Sequence, residues 1–303
     1  MNSLIFEKDR ELDIIAMGKL CGSLFVYAGW SKIHNKAVCT GSFKKNIEGT
    51  AANITAALAK RGMKTGYIGR VGDDDYGRTI FNYLRNLRVD TSGIIRDSKG
   101  YITGIDSLRE TSSENLLPTY LNKIADFKLS IRDIKEDFLK QARTLLLSGT
   151  ILAKSPSREA ALAALEYARR NHLVILFDMD HRPYLWGSEE EAAVYYSLAA
   201  EKSDVVFGTK EELGMLEDFS YPHDRNGFSM MNRCFQSHTK SVIIKNERDH
   251  SWIYSKEGNR VNKRIYSTKA VNTLSANDAF IEAFIYRTMK IKREQTEQEK
   301  VEH

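Results

Sequence analysis

Short apolar runs alternate with amphipathic helical patterns along most of the chain. LDIIAMG (12–18) predicts a buried strand, and TAANITAALAKRG (50–62) a helix closed by Gly62. KTGYIGRVG (64–72) predicts a strand, and DDYGRTIFNYLRNLRV (74–89) a helix with Ile80, Leu84 and Leu87 on one side. The same alternation continues with strand TLLLSG (144–149), helix SPSREAALAALEYARR (155–170) and strand LVILFDMD (173–180). SEEEAAVYYSLAAEK (188–202) opens with Ser188 and Glu191 at capping-box spacing and predicts a further helix. Strand DVVFG (204–208), a helical turn from Thr209 and strand KSVIIK (240–245) follow. Alternation of this kind predicts an α/β fold, with helices on both faces of a mostly parallel sheet. Ligands of such sheets lie at the carboxyl ends of the strands.

Two stretches break the rhythm. Residues 24–47 and 101–121 mix polar, β-branched and aromatic residues without a helical period. They read as a small antiparallel β lid over the carboxyl ends, or as two long surface loops; loops of that length are uncommon without a function. The domain is expected to span 1–290, and the charged segment 291–303 to form a frayed tail.

Composition narrows the class. A hydrophobic fraction of 42% and a charged fraction of 28% are those of an ordinary globular protein. The net charge of +5 is modest and its basic pairs are scattered among acids, so no nucleic-acid groove is expected. No apolar run approaches the ~20 residues that span a bilayer, and the start MNSLIFEKDRELD lacks the apolar centre of a signal peptide. Cys21, Cys39 and Cys234 have no metal-like spacing and cannot all pair, which suits a reducing, cytoplasmic compartment.

AVNTLSANDAF (270–280) reads as a phosphate-binding turn without its glycines, leading into a helix with Phe280, Ala283, Phe284 and Met289 on an apolar side. Asp278 there is open to two readings, a catalytic base or a helix cap.

EGTAANITAALAKRGMKTGYIGRVGDDDYGR (48–78) resembles the first signature of the ribokinase-like, or phosphofructokinase-B, sugar kinases. FDMDHRPYLWGSEEEAAVYYSLAAEKSDVVFGTKEELGMLE (177–217) resembles the 5-dehydro-2-deoxygluconokinase branch of that family, as do 10–24 and 145–160. The resemblance implies a three-layer ribokinase-like sandwich and ATP-dependent transfer of the γ-phosphoryl group to the primary hydroxyl of an acid sugar. It implies that Gly49 and Asn53 contact the sugar, and that Ser23 stands where the family has an aspartate on sugar hydroxyls. Arg182, at a strand end, suits a carboxylate through two charge-assisted hydrogen bonds; pinning by Asp178 or Asp180 is the structural alternative. Glu211, in the family's N-x-x-E pattern with Gly208 in place of the asparagine, would hold Mg²⁺ through waters; an acid at a helix N-terminus is equally a dipole partner. Lys245, Glu247 and Thr273 fall on the ATP side. His181, without a partner at ligand spacing, reads as an ordinary loop residue.

In D-T-x-G-A-G-D, the family's anion hole, Ser275, Ala276 and Asn277 stand before Asp278, the implied base. The departures are Ser23, Glu48, Glu247, His250, Ser275 and Asn277, together with the family's adenine-covering helices, which the resemblance places after FIYRTMK. They support a second expectation, a catalytically impaired homologue that binds sugar or assembles with other proteins. In parts of the family lids pair between chains, which implies a homodimer.

Overall fold

Strand β1 (Leu12–Met17) sends Ile15 and Met17 to one face of a sheet and Ile14 and Ala16 to the other, all of them buried. Strands β7 (Ala142–Ser148) and β8 (Val174–Asp178) divide in the same way: Leu145, Leu147, Ile175 and Phe177 to one side, Leu146, Val174 and Leu176 to the other. Burial on both faces is why these strands read as continuous apolar runs rather than alternating ones. The computed structural model describes residues 4–7, 9–33, 36–106, 123–216, 234–245, 250–258, 260–264 and 273–301.

Six more strands complete the main sheet: β4 (Thr65–Gly72), β5 (Asp90–Asp97), β9 (Val205–Gly208), β10 (Ser241–Ile244), β11 (His250–Ser255) and β12 (Arg260–Arg264). Their order is β12-β11-β10-β9-β8-β7-β1-β4-β5. From β5 across to β10 neighbouring strands run parallel, and β11 and β12 extend the sheet antiparallel at one edge. The order reverses at β1, which lies between β4 and β7.

Helices α1 (Thr50–Lys60), α2 (Asp75–Asn86) and α7 (Thr273–Val301) contribute to the core on one face. The other face is covered by α3 (Glu136–Leu139), α4 (Ser157–Arg170), α5 (Glu189–Glu201) and α6 (Lys210–Gly214). The expected three-layer ribokinase-like sandwich is therefore observed. Half of the expected capping box on α5 forms: Ser188 accepts from the Glu191 amide, while the Glu191 carboxylate turns to the Gly187 amide and Arg158. The backbone of α7 remains helical to Val301, so the segment expected to fray after residue 290 continues the helix. Among the described residues no helix is long and apolar enough to cross a membrane.

A second, three-stranded sheet grows from the carboxyl end of β1. Strands β2 (Cys21–Ile33) and β3 (Lys36–Glu48) form a hairpin paired from Cys21↔Glu48 to Ile33↔Lys36, a little longer than the expected 24–47. The second expected lid segment is partly covered: β6 (Ile105–Asp106) pairs parallel to β2, and 107–121 lies outside the described residues.

The hairpin returns to the main body through Gly49, whose φ of 117° few side chains tolerate. A Cβ there would lie 2.3 Å from the Lys19 carbonyl oxygen. Gly49→Ala is therefore expected to destabilise by at least about 1–3 kcal/mol, read as a lower urea midpoint. It would also move the start of α1, which carries Thr50 and Asn53.

Candidate active site

A cavity of about 420 Å³ opens at the carboxyl ends of β8, β9 and β10, between the starts of α1, α6 and α7. Its wall brings together Arg182, Glu211, Lys245, Asn277 and Asp278, which lie far apart in the sequence. Asn53 joins them from α1, donating through Nδ2 to Asp278 Oδ2 at 2.9 Å.

Asp278 is buried, 8% exposed, and lies five residues beyond the first helical residue of α7, Thr273. A residue one and a half turns inside a helix does not cap it, so of the two sequence readings the cap is excluded. Burial pushes the Asp278 carboxyl up to about 7; donation from Asn53 opposes the rise, and the nearby Asp180 and Asp178 add to it. Ser275, Ala276 and Asn277 are helical, and a helical backbone has no need of glycine. Thr273 begins the helix.

The floor is acidic. Asp178 ends β8, and its Oδ1 accepts from Lys245 Nζ at 2.6 Å, with Glu212 Oε2 3.6 Å from the same nitrogen. Lys245 was expected to face nucleotide; its Nζ is instead engaged by two carboxylates, and its side chain is 5% exposed. Burial acts to lower the Lys245 pKa, but Asp178 and then Glu212 outweigh it and hold the proton on the lysine. Burial raises Asp178, Lys245 opposes, and Asp180 and Glu212 add to the rise.

Arg182 is bound by Asp180: the guanidinium is 2.8 Å from Asp180 Oδ1, while Ser148 donates to Asp180 Oδ2 at 3.0 Å. The pinned arginine expected as the structural alternative is thus present, on a residue that also lines the cavity. Glu211 is exposed at the rim, whereas its neighbour Glu212 is occupied inside the fold. Glu212 closes a capping box with Thr209 and accepts the His181 amide at 2.7 Å.

Ser23 lies at the base of the lid, paired with Asn46 and Asp106. Glu48 stands opposite Cys21 and is not part of the cavity wall. His250 begins β11, and Glu247 lies outside the described residues. Sequence reasoning did not assign Asp178, Asp180 or Glu212 to the site. Two acids spaced i and i+2 at the end of a buried strand, and the T-x-x-E of 209–212, were the available signals.

The profile of the pfkB family carbohydrate kinases matches residues 24–297. The chain belongs to that family. It is 44% identical over 291 residues to the 5-dehydro-2-deoxygluconokinase of Geobacillus thermodenitrificans (strain NG80-2), covering 95% of this chain and 85% of the relative. It is 42% identical to the 5-dehydro-2-deoxygluconokinase of Bacillus anthracis, covering 96% and 86%. Among solved structures, the fructokinase with bound ATP from Xylella fastidiosa superposes with a TM-score of 0.77 at 19% identity, covering 91% and 81%. The PfkB protein from Polaromonas sp. JS666 gives 0.75 at 22% identity, covering 92% and 89%. At these identities the two structures speak to the fold.

Proposed function

We propose that this pfkB family member is an ATP-dependent kinase that phosphorylates the primary hydroxyl of an acid sugar such as 5-dehydro-2-deoxygluconate. The observation that carries the reading is Asp278, a buried carboxyl in the cavity wall, oriented by Asn53 and titrating near neutrality. A general base works best when its pKa lies near the working pH. Asn53 holds Oδ2, so Oδ1 is the oxygen offered to the sugar hydroxyl. The relatives named for 5-dehydro-2-deoxygluconate support the substrate class.

Asp178 and Glu212 are engaged by Lys245 and Asp180 by Arg182, and among the described residues no three acidic, histidine or cysteine side chains converge on a metal position. Glu211 is the cavity carboxylate left for a hard divalent cation that arrives with the nucleotide phosphates. Glu211, exposed at the rim, would hold Mg²⁺ through waters, and the first-turn amides of α7 from Thr273 would face phosphate oxygens. When bound, Mg·ATP supplies the phosphoryl group, with the metal offsetting its charge. The chain's own residues orient and deprotonate the sugar: Arg182 takes its carboxylate, the region of Gly49, Thr50 and Asn53 its hydroxyls, and Asp278 its proton.

The alternative, an impaired sugar-binding or assembly homologue, draws support from Asn277, whose side chain lines the cavity where the family carries glycine.

Thermal melts separate the two. The kinase reading expects stabilisation by Mg·ATP and by the acid sugar, about 2.7 kcal/mol for each at one hundred times its Kd. Stabilisation by the sugar with none by Mg·ATP favours the alternative. Arg182→Ala is expected to weaken acid-sugar binding at least about tenfold, about 1.4 kcal/mol, measured by calorimetry; unchanged affinity contradicts the carboxylate role. The lid hairpin is proposed to pair with that of a second copy, and sedimentation showing only monomer contradicts this.

A further inference from the structure

Asn277 precedes Asp278 and shares its wall. Both residues line the cavity, and consecutive Cα atoms are only about 3.8 Å apart. Asn277 is the fifth helical residue of α7, counted from Thr273. Only the first four N–H groups of a helix lack an intrahelical partner, so the Asn277 backbone amide is spent inside α7. What Asn277 can offer the cavity is its side chain. That side chain is half-buried, and its amide has no hydrogen-bond partner among the described residues. Neither polar atom of the amide is among those sealed from solvent.

The rest of the wall has few donors to spare. Its other nitrogen-bearing side chains are those of His181, Arg182 and Lys245. Lys245 Nζ is matched by Asp178 and Glu212, and Arg182 by Asp180. His181 Nδ1 lies 3.1 Å from the Tyr196 hydroxyl, and its Nε2 is sealed from solvent. Asn53 has its amide nitrogen on Asp278 Oδ2 at 2.9 Å. Asn277 is therefore the uncommitted amide beside the carboxyl of Asp278. A carboxamide facing a negatively charged oxygen presents its N–H groups and needs no change of protonation.

Under the kinase reading, the sugar hydroxyl gives its proton to Asp278 Oδ1 and its oxygen bonds the γ-phosphorus. The bond from that phosphorus to the bridging oxygen breaks, and its electron pair leaves with ADP. During transfer, charge is spread over the equatorial phosphoryl oxygens, and catalysis is almost entirely positioning and electrostatic stabilisation. A hydroxyl served by Asp278 lies within about 3.2 Å of its carboxylate, so the phosphorus it attacks comes to the same part of the wall. We propose that Asn277 is a catalytic residue, donating through Nδ2 to one of these oxygens during transfer. Its side chain then supplies a donor that the helical backbone at 277 does not offer. This rests on the kinase reading, and it gives Asn277 a part in turnover where the impaired alternative makes it an obstruction.

The test compares Asn277→Ala and Asn277→Gly with the parent, using 5-dehydro-2-deoxygluconate and Mg·ATP for turnover. Alanine removes the amide and favours the helix, while glycine also clears the space. In parallel, calorimetry follows Mg·ADP alone, and Mg·ADP with aluminium fluoride and sugar, where the fluoride complex stands in for the phosphoryl group during transfer. Both variants are expected to lose about 10²–10³ in kcat, the usual cost of one preorganised donor, with KM little changed. A fall of kcat and kcat/KM together marks an interaction made only in the transition state. Transition-state analogues share in such interactions, so affinity for the fluoride complex should fall at least about tenfold while that for Mg·ADP is unchanged. Turnover equal to or above the parent's in either variant overturns the proposal, and a rise in Asn277→Gly identifies the side chain as an obstruction. Equal weakening of Mg·ADP and of the fluoride complex also overturns it, since the amide then holds nucleotide rather than the group in transfer. A parent that turns over beside unchanged variants contradicts this inference alone; a parent with no turnover and no fluoride complex contradicts the kinase reading as well.

Discussion

Asp278→Asn is expected to lower turnover by about 10²–10⁴, the usual contribution of a positioned base, while leaving the protein folded and more stable. The asparagine can still accept from Asn53 and no longer has a charge to bury. The pH dependence follows from the same carboxyl. Burial moves its pKa from 3.8 to about 7, so the base is protonated below neutrality and kcat/KM should rise with pH through about 7. Stability has the opposite sign. Between 3.8 and about 7 the folded state holds a proton that the unfolded state has released, so stability falls as pH rises across that window. The gain in Tm from Asp278→Asn should therefore be small near pH 4 and largest above pH 7. Calorimetric melts at several pH values check this, and a variant less stable than the parent at pH 8 would contradict the buried charge.

The second large effect is on stability. Lys245→Met is expected to cost about 3–5 kcal/mol, because it strands Asp178 in the interior beside Asp180 and Glu212. Both partners are nearly inaccessible, at 5% and 2% exposure, so solvent screens little of the loss. Adding Asp178→Asn should recover most of it, since the stranded charge is gone. Denaturant melts of the two single variants and the double variant measure the coupling directly. If the double variant is as unstable as Lys245→Met, the cost lies in packing of the lysine stem rather than in the charge.

The frame was legible where one kind of residue suffices for one kind of element. Ile14, Ile15, Leu145 to Leu147 and Val174 to Phe177 are apolar because both sheet faces are covered, and their strands could be read directly. The antiparallel strands β11 and β12 could not. HSWIYS has one apolar run of three and RVNKR a single apolar residue, too little for a strand pattern, and the pairing of β11 to β10 and of β12 to β11 depends on tertiary neighbours. The helical end of α7 was hidden for a related reason: KIKREQTEQEKV has charges but no apolar stripe, and helix periodicity is read from the stripe.

In the site, residue types pointed to individual roles but not to partners. Arg182 and Lys245 carry the charge that a sugar acid or a phosphate would need, yet each is already matched by an aspartate brought from the end of β8. No spacing in the sequence connects Lys245 with Asp178, or Asn53 with Asp278; those pairings come from the parallel order β8-β9-β10 and from α1 lying beside α7. His181 looked ordinary because its partner Tyr196, which Trp186 also reaches, meets it only after α5 packs on the sheet. The missing glycines of 275–277 appeared more damaging in the sequence than they are to the backbone, which is helical there.

The central claim is tested most directly by ADP release with Mg·ATP over a panel of acid and neutral sugars. The account predicts turnover with an acid sugar such as 5-dehydro-2-deoxygluconate, little with its neutral counterparts, and loss of that turnover in Asp278→Asn. A folded protein that releases no more ADP with any sugar than Asp278→Asn does would contradict it.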